Sequence, residues 1–184
     1  MNFENNWRRK QEIRGRGIAD RIYRDVFGSD LEINRFEDED NYELDKTFAI
    51  DVHVVNNNGL ILTGQEKFLS NKYAKFQSIT VEYMQNPLIQ EKGDWFKMAV
   101  QFYFTGYFNK TNDDFELWII ADWTQIVLNT INDNITWMKN HNTKDGARAN
   151  FVYCNMTQLP EDCIIASSWT ITQPDWSNDA RPTA

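Results

Sequence analysis

Ile13, Ile18, Ile22, Tyr23 and Val26 recur at near-helical spacing between polar positions, and Gly28-Ser29-Asp30 closes the run, so residues 7–27 are predicted to form an amphipathic helix. Gly15 and Gly17 weaken its middle. Leu31, Ile33 and Phe36 suggest a short strand, and Glu37-Asp38-Glu39-Asp40 after it reads as a solvated acidic loop. Thr47–Val55 and Leu60–Leu69 are rich in β-branched and aromatic residues and flank Asn56-Asn57-Asn58-Gly59, a strong hairpin signal. Ser78–Tyr83 alternates as a further strand that stops at Asn86-Pro87.

Trp95–Phe108 fits two patterns, because Val100, Phe102 and Phe104 alternate with Gln101, Tyr103 and Thr105 while the apolar density suits a buried helix. A helix is the expectation, since Phe115–Ala121 reads as a buried central strand whose parallel partner needs a helical crossover before it. Asp122 is then the N-cap of a helix from Trp123 to about His141, with Ile126, Val127, Thr130, Ile131, Ile135 and Met138 on its apolar face. A polar loop, Asn142–Ala147, leads to strands at Phe151–Asn155 and Ile164–Trp169. Residues 1–172 are expected to form one domain, a core of about 7–121 with a C-terminal extension of 122–172, and 173–184 a tail.

At 184 residues with 41% hydrophobic and 14% aromatic content, the chain can bury a core without disulfides or structural metal. No apolar run is long enough to span a membrane, and Met1–Lys10 is polar and basic, so a cytoplasmic location is expected, in the host cytoplasm if the chain is phage-encoded. Cys154 and Cys163 are then reduced thiols, and the three Asn-X-Thr triplets are chance matches. The net charge of −8 is unevenly spread: residues 1–27 carry seven basic and four acidic side chains, leaving −11 on the remainder. Such a split suits a basic arm facing phosphates, with Arg14, Arg16 and Arg21 as candidate contacts, and equally an ordinary solvated helix face. Ser167-Ser168 lacks His and acid partners and no phosphate-binding glycine loop occurs, which argues against serine hydrolases and nucleotide triphosphatases.

The hairpin carries the chemistry. Ile50-Asp51-Val52-His53 lies on one strand and Gln65-Glu66-Lys67 on the next. A three-residue loop, Asn57-Asn58-Gly59, would pair residues whose numbers sum to 116 and set Gln65 and Lys67 on the face of Asp51, with Glu66 turned away. A two-residue loop would instead set Glu66 against Asp51, an unfavourable pair of like charges. His53 shares the Asp51 face and is better read as a hydrogen-bonded structural histidine. Gln101, among apolar neighbours, is either a supporting residue or a glutamine bonding backbone.

These residues resemble the PD-(D/E)xK nuclease superfamily, in particular its Holliday junction resolvase-like and phage-encoded members. Gly15-Arg16-Gly17-Ile18-Ala19-Asp20-Arg21 is similar to the first-helix motif, Ile50-Asp51 to the central acid, and Gln65-Glu66-Lys67 to the tripeptide. The resemblance implies an α/β (α+β) fold: a restriction-endonuclease-like αβββαβ core with a mixed central sheet flanked by helices, plus a C-terminal helix and strands. It implies Mg²⁺- or Mn²⁺-dependent hydrolysis of DNA phosphodiesters, with Asp51, Gln65, Lys67 and Asp20 as catalytic residues. Asp51, Gln65 and Asp20 would hold the metal, with a homodimeric assembly left open. Gln65 stands where the family has an acid, so cation affinity should fall unless Glu66 or Glu82 compensates. The alternatives are a catalytically inactive nucleic-acid- or protein-binding module on the same fold, and an unrelated structural or virion protein.

Overall fold

The computed structural model describes residues 3–35, 42–140 and 149–169. The acidic run 37–40, His141, the polar loop 142–147 and the tail 173–184 lie outside them. The elements are α1 (Phe3–Phe27), β1 (Glu32–Arg35), α2 (Tyr42–Phe48), β2 (Val52–Val55), β3 (Ile61–Leu69), β4 (Ser78–Asn86), β5 (Glu91–Lys92), β6 (Phe102–Phe108), β7 (Phe115–Asp122), α3 (Trp123–Ile131), β8 (Met138–Asn140), β9 (Asn150–Asn155) and β10 (Ile164–Ser167). They build a mixed α+β structure with two sheets.

The larger sheet has the order β1-β2-β3-β6-β7-β10, and the smaller one β5-β4-β9-β8. In the larger sheet β1, β2 and β3 form an antiparallel meander, β3 and β6 pair in parallel, and β6, β7 and β10 are antiparallel again. The β2–β3 hairpin closes in the three-residue form: Gly59 N–H donates to Asn56 O at 2.9 Å, Gly59 has φ +77°, and His53 pairs with Thr63. Only glycine takes that φ without steric cost, which is why Asn-Asn-Gly sets this register.

One face of the large sheet is covered by α1. Ile18, Ala19, Ile22 and Tyr23 pack on Val52, Val54, Phe102, Phe104 and Ile120. Tyr23 meets the rings of Phe102 and Phe104 edge-on, each at 5.4 Å between centroids. Gly15 permits the close approach of α1, because a Cβ there would lie 2.6 Å from the Phe68 ring. The other face packs against the small sheet and α3, through Tyr103, Tyr107, Ile119, Trp123, Ile126, Ile79, Val81 and Val152.

Residues 95–108 do not form the expected helix. Asp94–Phe96 is a single 3-10 turn and Phe102–Phe108 is β6, buried at every position. Phe102, Phe104 and Phe108 face α1 while Tyr103 and Tyr107 face the small sheet, so both sides are apolar and the polar alternation that marks a half-buried strand disappears. The crossover from β3 to β6 holds no α-helix either; it contains short 3-10 turns together with β4 and β5 of the small sheet. Among the described residues, the edge of β4 along Ser78–Thr80 has no strand partner, and it is capped by side chains: Tyr103 Oη donates to Thr80 O at 2.8 Å, and Tyr107 Oη donates to Ser78 O.

Three further boundaries differ. Residues 42–48 form α2, ended by Ala49 at φ +50°, so the strand begins at Val52 rather than Thr47. The helix from Trp123 stops at Ile131, because Asn134 and Ile135 N–H turn back onto Asn129 O and Asp133 takes φ +59°. Ile135 is buried beyond that turn, and Met138 begins β8. Nor is the segment after residue 121 an appendage: β10 extends the large sheet and β9 is the central partner of β4. Among the described residues no helix is long and apolar enough to cross a membrane.

Candidate functional site

Asp51 stands at the entry of β2, tied to β3 by its backbone N–H, which donates to Gly64 O at 2.9 Å. Its carboxylate accepts two hydrogen bonds on Oδ2, from Gln65 Nε2 at 2.6 Å and from Glu66 N at 2.9 Å. Gln65 and Lys67 lie on the same face of β3, as strand periodicity requires. Lys67 Nζ lies 5.3 Å from the centre of the Phe151 ring. Phe151 is the cross-strand partner of Glu82 on β4, and the Lys67 charge partly opposes the upward shift that burial imposes on the Glu82 carboxyl.

Two acids without a local sequence signal join this group. Asp94, in the 3-10 turn before β6, makes an ion pair with Lys97 at 3.2 Å and raises the proton affinity of Asp45, Asp51 and Glu82. Asp45, in α2, lies near enough to Asp51 for each carboxyl to act on the other's ionisation. Burial is the main reason that Asp51 holds its proton well above the usual carboxylate range, and the charges of Glu66, Asp45 and Asp94 add to it. Burial and Asp94 likewise raise Glu82, and the Asp45 carboxyl is raised chiefly by burial. The turn carrying Asp94 is fixed on β4: Gly93 N–H donates to Tyr83 O at 3.0 Å, and a Cβ on Gly93 would come within 2.5 Å of Glu82 O.

The donor chemistry fits a hard divalent cation. Burial, and to a lesser degree neighbouring acids, opposes the ionisation of Asp51, Asp45 and Glu82, and Gln65, only 8% exposed, has a buried Oε1 with no hydrogen-bond partner among the described residues. A buried acceptor left in that condition is costly unless a water or cation meets it. Among the described residues no three His, Cys, Asp or Glu side chains form a ready cage. Ligation would therefore draw on Asp51, the Gln65 Oε1 and several waters, since Mg²⁺ keeps much of its hydration shell.

Asp20 does not join Asp51. It faces the opposite side of the sheet, where Arg35 of β1 donates to Asp20 Oδ1 at 2.6 Å and to Glu66 at 2.8 and 2.9 Å. Tyr23 Oη donates to the same Glu66 carboxylate at 3.0 Å. Burial disfavours the Arg35 charge, but the bonds to Glu66 and Asp20 more than offset this and hold it protonated. Burial and the Glu66 charge raise Tyr23. Glu66 thus anchors α1 and β1 from beneath, while its N–H serves Asp51 above.

Among the other expected residues, His53 Nε2 lies 3.1 Å from Asn34 Nδ2 on β1, a structural contact. Gln101 is exposed and accepts from Thr63 N and Oγ1, so it splices the start of β6 to β3 rather than reaching the acids. Arg21 pairs with Asp114 and Arg14 donates to Asn112 O, both in the β6–β7 connection, while Arg16 pairs with Glu12 along α1. The helix that carries these arginines covers the face opposite the acid cluster. Comparison of the chain with family models, with curated proteins and with solved structures gives no match.

Proposed function

We propose that the chain is a metal-dependent phosphodiesterase acting on DNA, a nuclease of the PD-(D/E)xK type whose missing tripeptide acid is replaced from outside the hairpin. The observation that carries this reading is the hydrogen-bonded pair of Asp51 and Gln65 with Lys67 on the same face of β3, where the charge of Asp94 acts on both Asp51 and Glu82 and that of Lys67 on Glu82. The order helix, three-stranded meander and a fourth strand parallel to the third supports it as well.

Mg²⁺ or Mn²⁺ bound here would polarise a phosphoryl oxygen and acidify a water. Asp51 and Gln65 Oε1 are the residues to hold it, with Glu82 or Asp94 supplying the charge that Gln65 lacks. Lys67 contributes a fixed positive charge beside the reacting phosphate, offsetting charge that develops on the phosphorane. Glu66 N–H and Gln65 Nε2 orient the Asp51 carboxylate and leave its second oxygen for the cation. The carboxyl groups whose ionisation is opposed by burial and by neighbouring acids are relieved by a cation, so metal binding and proton release would be coupled.

The test is incubation of the purified protein with linear duplex, single-stranded and four-way-junction DNA in Mg²⁺, Mn²⁺ or EDTA. Metal-dependent cleavage that Asp51→Asn abolishes is the expected result. Absence of cleavage from all substrates in both metals, with protein shown to be folded, overturns the proposal and favours a binding module on this fold.

A further inference from the structure

Two aromatic rings stand beside the acid cluster, each under a lysine. Phe96, 46% exposed, lies two residues beyond Asp94 in the 3-10 turn, and Tyr83 follows Glu82 on β4. The rings touch, with centroids 5.0 Å apart. Lys92 Nζ sits 5.1 Å from the Phe96 centroid and Lys139 Nζ 4.5 Å from that of Tyr83. The packing of Gly93 on the Glu82 backbone and its N–H bond to Tyr83 O fix the turn that carries Asp94 and Phe96 onto β4, so that Asp94 and the aromatic pair belong to one unit. Lys67 over Phe151 is a third pair of the same kind, adjoining Glu82 through the β4–β9 register.

We infer that Tyr83 and Phe96, with Lys92 and Lys139, form a stacking shelf for an unpaired nucleobase beside the acid cluster, so that the preferred ligand is a single-stranded nucleic acid. This rests on the reading of the cluster as a phosphodiesterase site. Every base has a π-face, and aromatic rings bind bases with little sequence preference when cations nearby meet the phosphates. Bases within an intact duplex are stacked on one another and cannot reach such rings. The lysines are long, flexible and charged: each can leave its ring to a base and follow the adjoining phosphate. In a chain of net charge −8, lysines placed over neighbouring rings give this edge the positive charge that the cluster itself lacks.

Fluorescence anisotropy in EDTA tests the shelf, with a labelled oligothymidylate, an abasic strand of equal length and a duplex. The wild type should bind the oligothymidylate most tightly. Phe96→Ala and Phe96→Leu should each weaken that binding about tenfold and leave the abasic strand unaffected, while Phe96→Trp restores it. Phe96→Leu keeps apolar packing on Tyr83 without an aromatic face, so it separates stacking from folding. Equal affinity of the wild type for thymidylate and abasic strands, no binding of any strand, or unchanged thymidylate binding in both folded variants would overturn the shelf. Base-dependent binding without cleavage of any substrate leaves the shelf standing and removes the hydrolytic reading; cleavage without base-dependent binding does the reverse.

Discussion

Gln65→Glu restores the family's carboxylate, and its consequences can be worked out from one contact. In the wild type Gln65 Nε2 donates to Asp51 Oδ2 at 2.6 Å. The substitution removes a donor to a charged acceptor, worth about 1.5–3 kcal/mol, and sets two carboxylates together. At ~4 Å and an effective dielectric constant of ~20 their repulsion is about 4 kcal/mol. A shared proton limits the loss, since keeping a glutamate of ordinary pKa neutral at pH 7 costs about 3.7 kcal/mol. The variant in EDTA at pH 7 should therefore be less stable by about 2–4 kcal/mol, a fall in Tm of about 5–15 °C. The folded pair holds a proton more tightly than the unfolded chain, so its contribution is fully present below about pH 4 and lost as pH rises through the folded pKa. Mg²⁺ should reverse the loss at pH 7 by binding the folded state alone, and should shift Tm more for the variant than for the wild type. Calorimetric scans from pH 4 to pH 8, with EDTA or Mg²⁺, read all of this. A variant as stable as the wild type in EDTA at pH 8 would show that Gln65 and Asp51 are not in contact, and failure of Mg²⁺ to recover stability would remove Gln65 from the ligand set.

Lys67→Ala should abolish cleavage with little change in DNA binding or Tm; cleavage at near the wild-type rate would strip Lys67 of its role. Glu66→Gln should cost about 2–4 kcal/mol in urea unfolding, because Arg35 and Glu66 are only 13% and 3% exposed and, among the described residues, Asp20 is the acid left to balance the guanidinium. It should barely change Mg²⁺ affinity, and loss of metal binding at unchanged stability would mean that Glu66 is a ligand. Gly64→Ala should cost at least 1–3 kcal/mol in the same assay, roughly, since its Cβ would overlap the fully buried Phe102 ring; adding Phe102→Leu should recover part of this, and a harmless Gly64→Ala would contradict the packing of β3 on β6.

What could be read in the chain followed the range of the interactions. The hairpin register was legible because Asn57-Asn58-Gly59 sets it locally, and with it came the shared face of Asp51, Gln65 and Lys67. The β6 strand was not, because burial on both faces erases the period-2 signal and leaves an apolar run that a helix would also show. The helix after Asp122 reads as longer than it is, because Ile135 and Met138 continue its spacing although the chain turns at Asn132–Asn134. Asp20 sat on α1 as expected, yet its partner Arg35 lies on β1 across the α1-facing side, and nothing local to residue 20 announces that pairing. Asp45 and Asp94 lie in a short helix and a one-turn 3-10 segment, with no spacing that ties them to Asp51. Glu82 was visible as an acid on an alternating strand, but only the β4–β9 pairing brings it to Lys67.

The route from β3 to β6 also governs how the molecule is made. Lys67 and Thr105 are neighbours in the parallel pair, so its closure must enclose the whole intervening segment, and the core of that segment, β4, takes its longest partner from β9, with Val81 set against Val152. A helical crossover could form by itself as soon as it was synthesised. This one cannot, because its strand stays half-paired until residues near 150 exist. High contact order of this kind slows folding to the range of milliseconds to seconds, and a chain leaving the ribosome would hold the meander and α1 ready while the acids of the crossover waited for the C-terminal strands. Assembly of the acid cluster thereby becomes a late event, tied to completion of the fold.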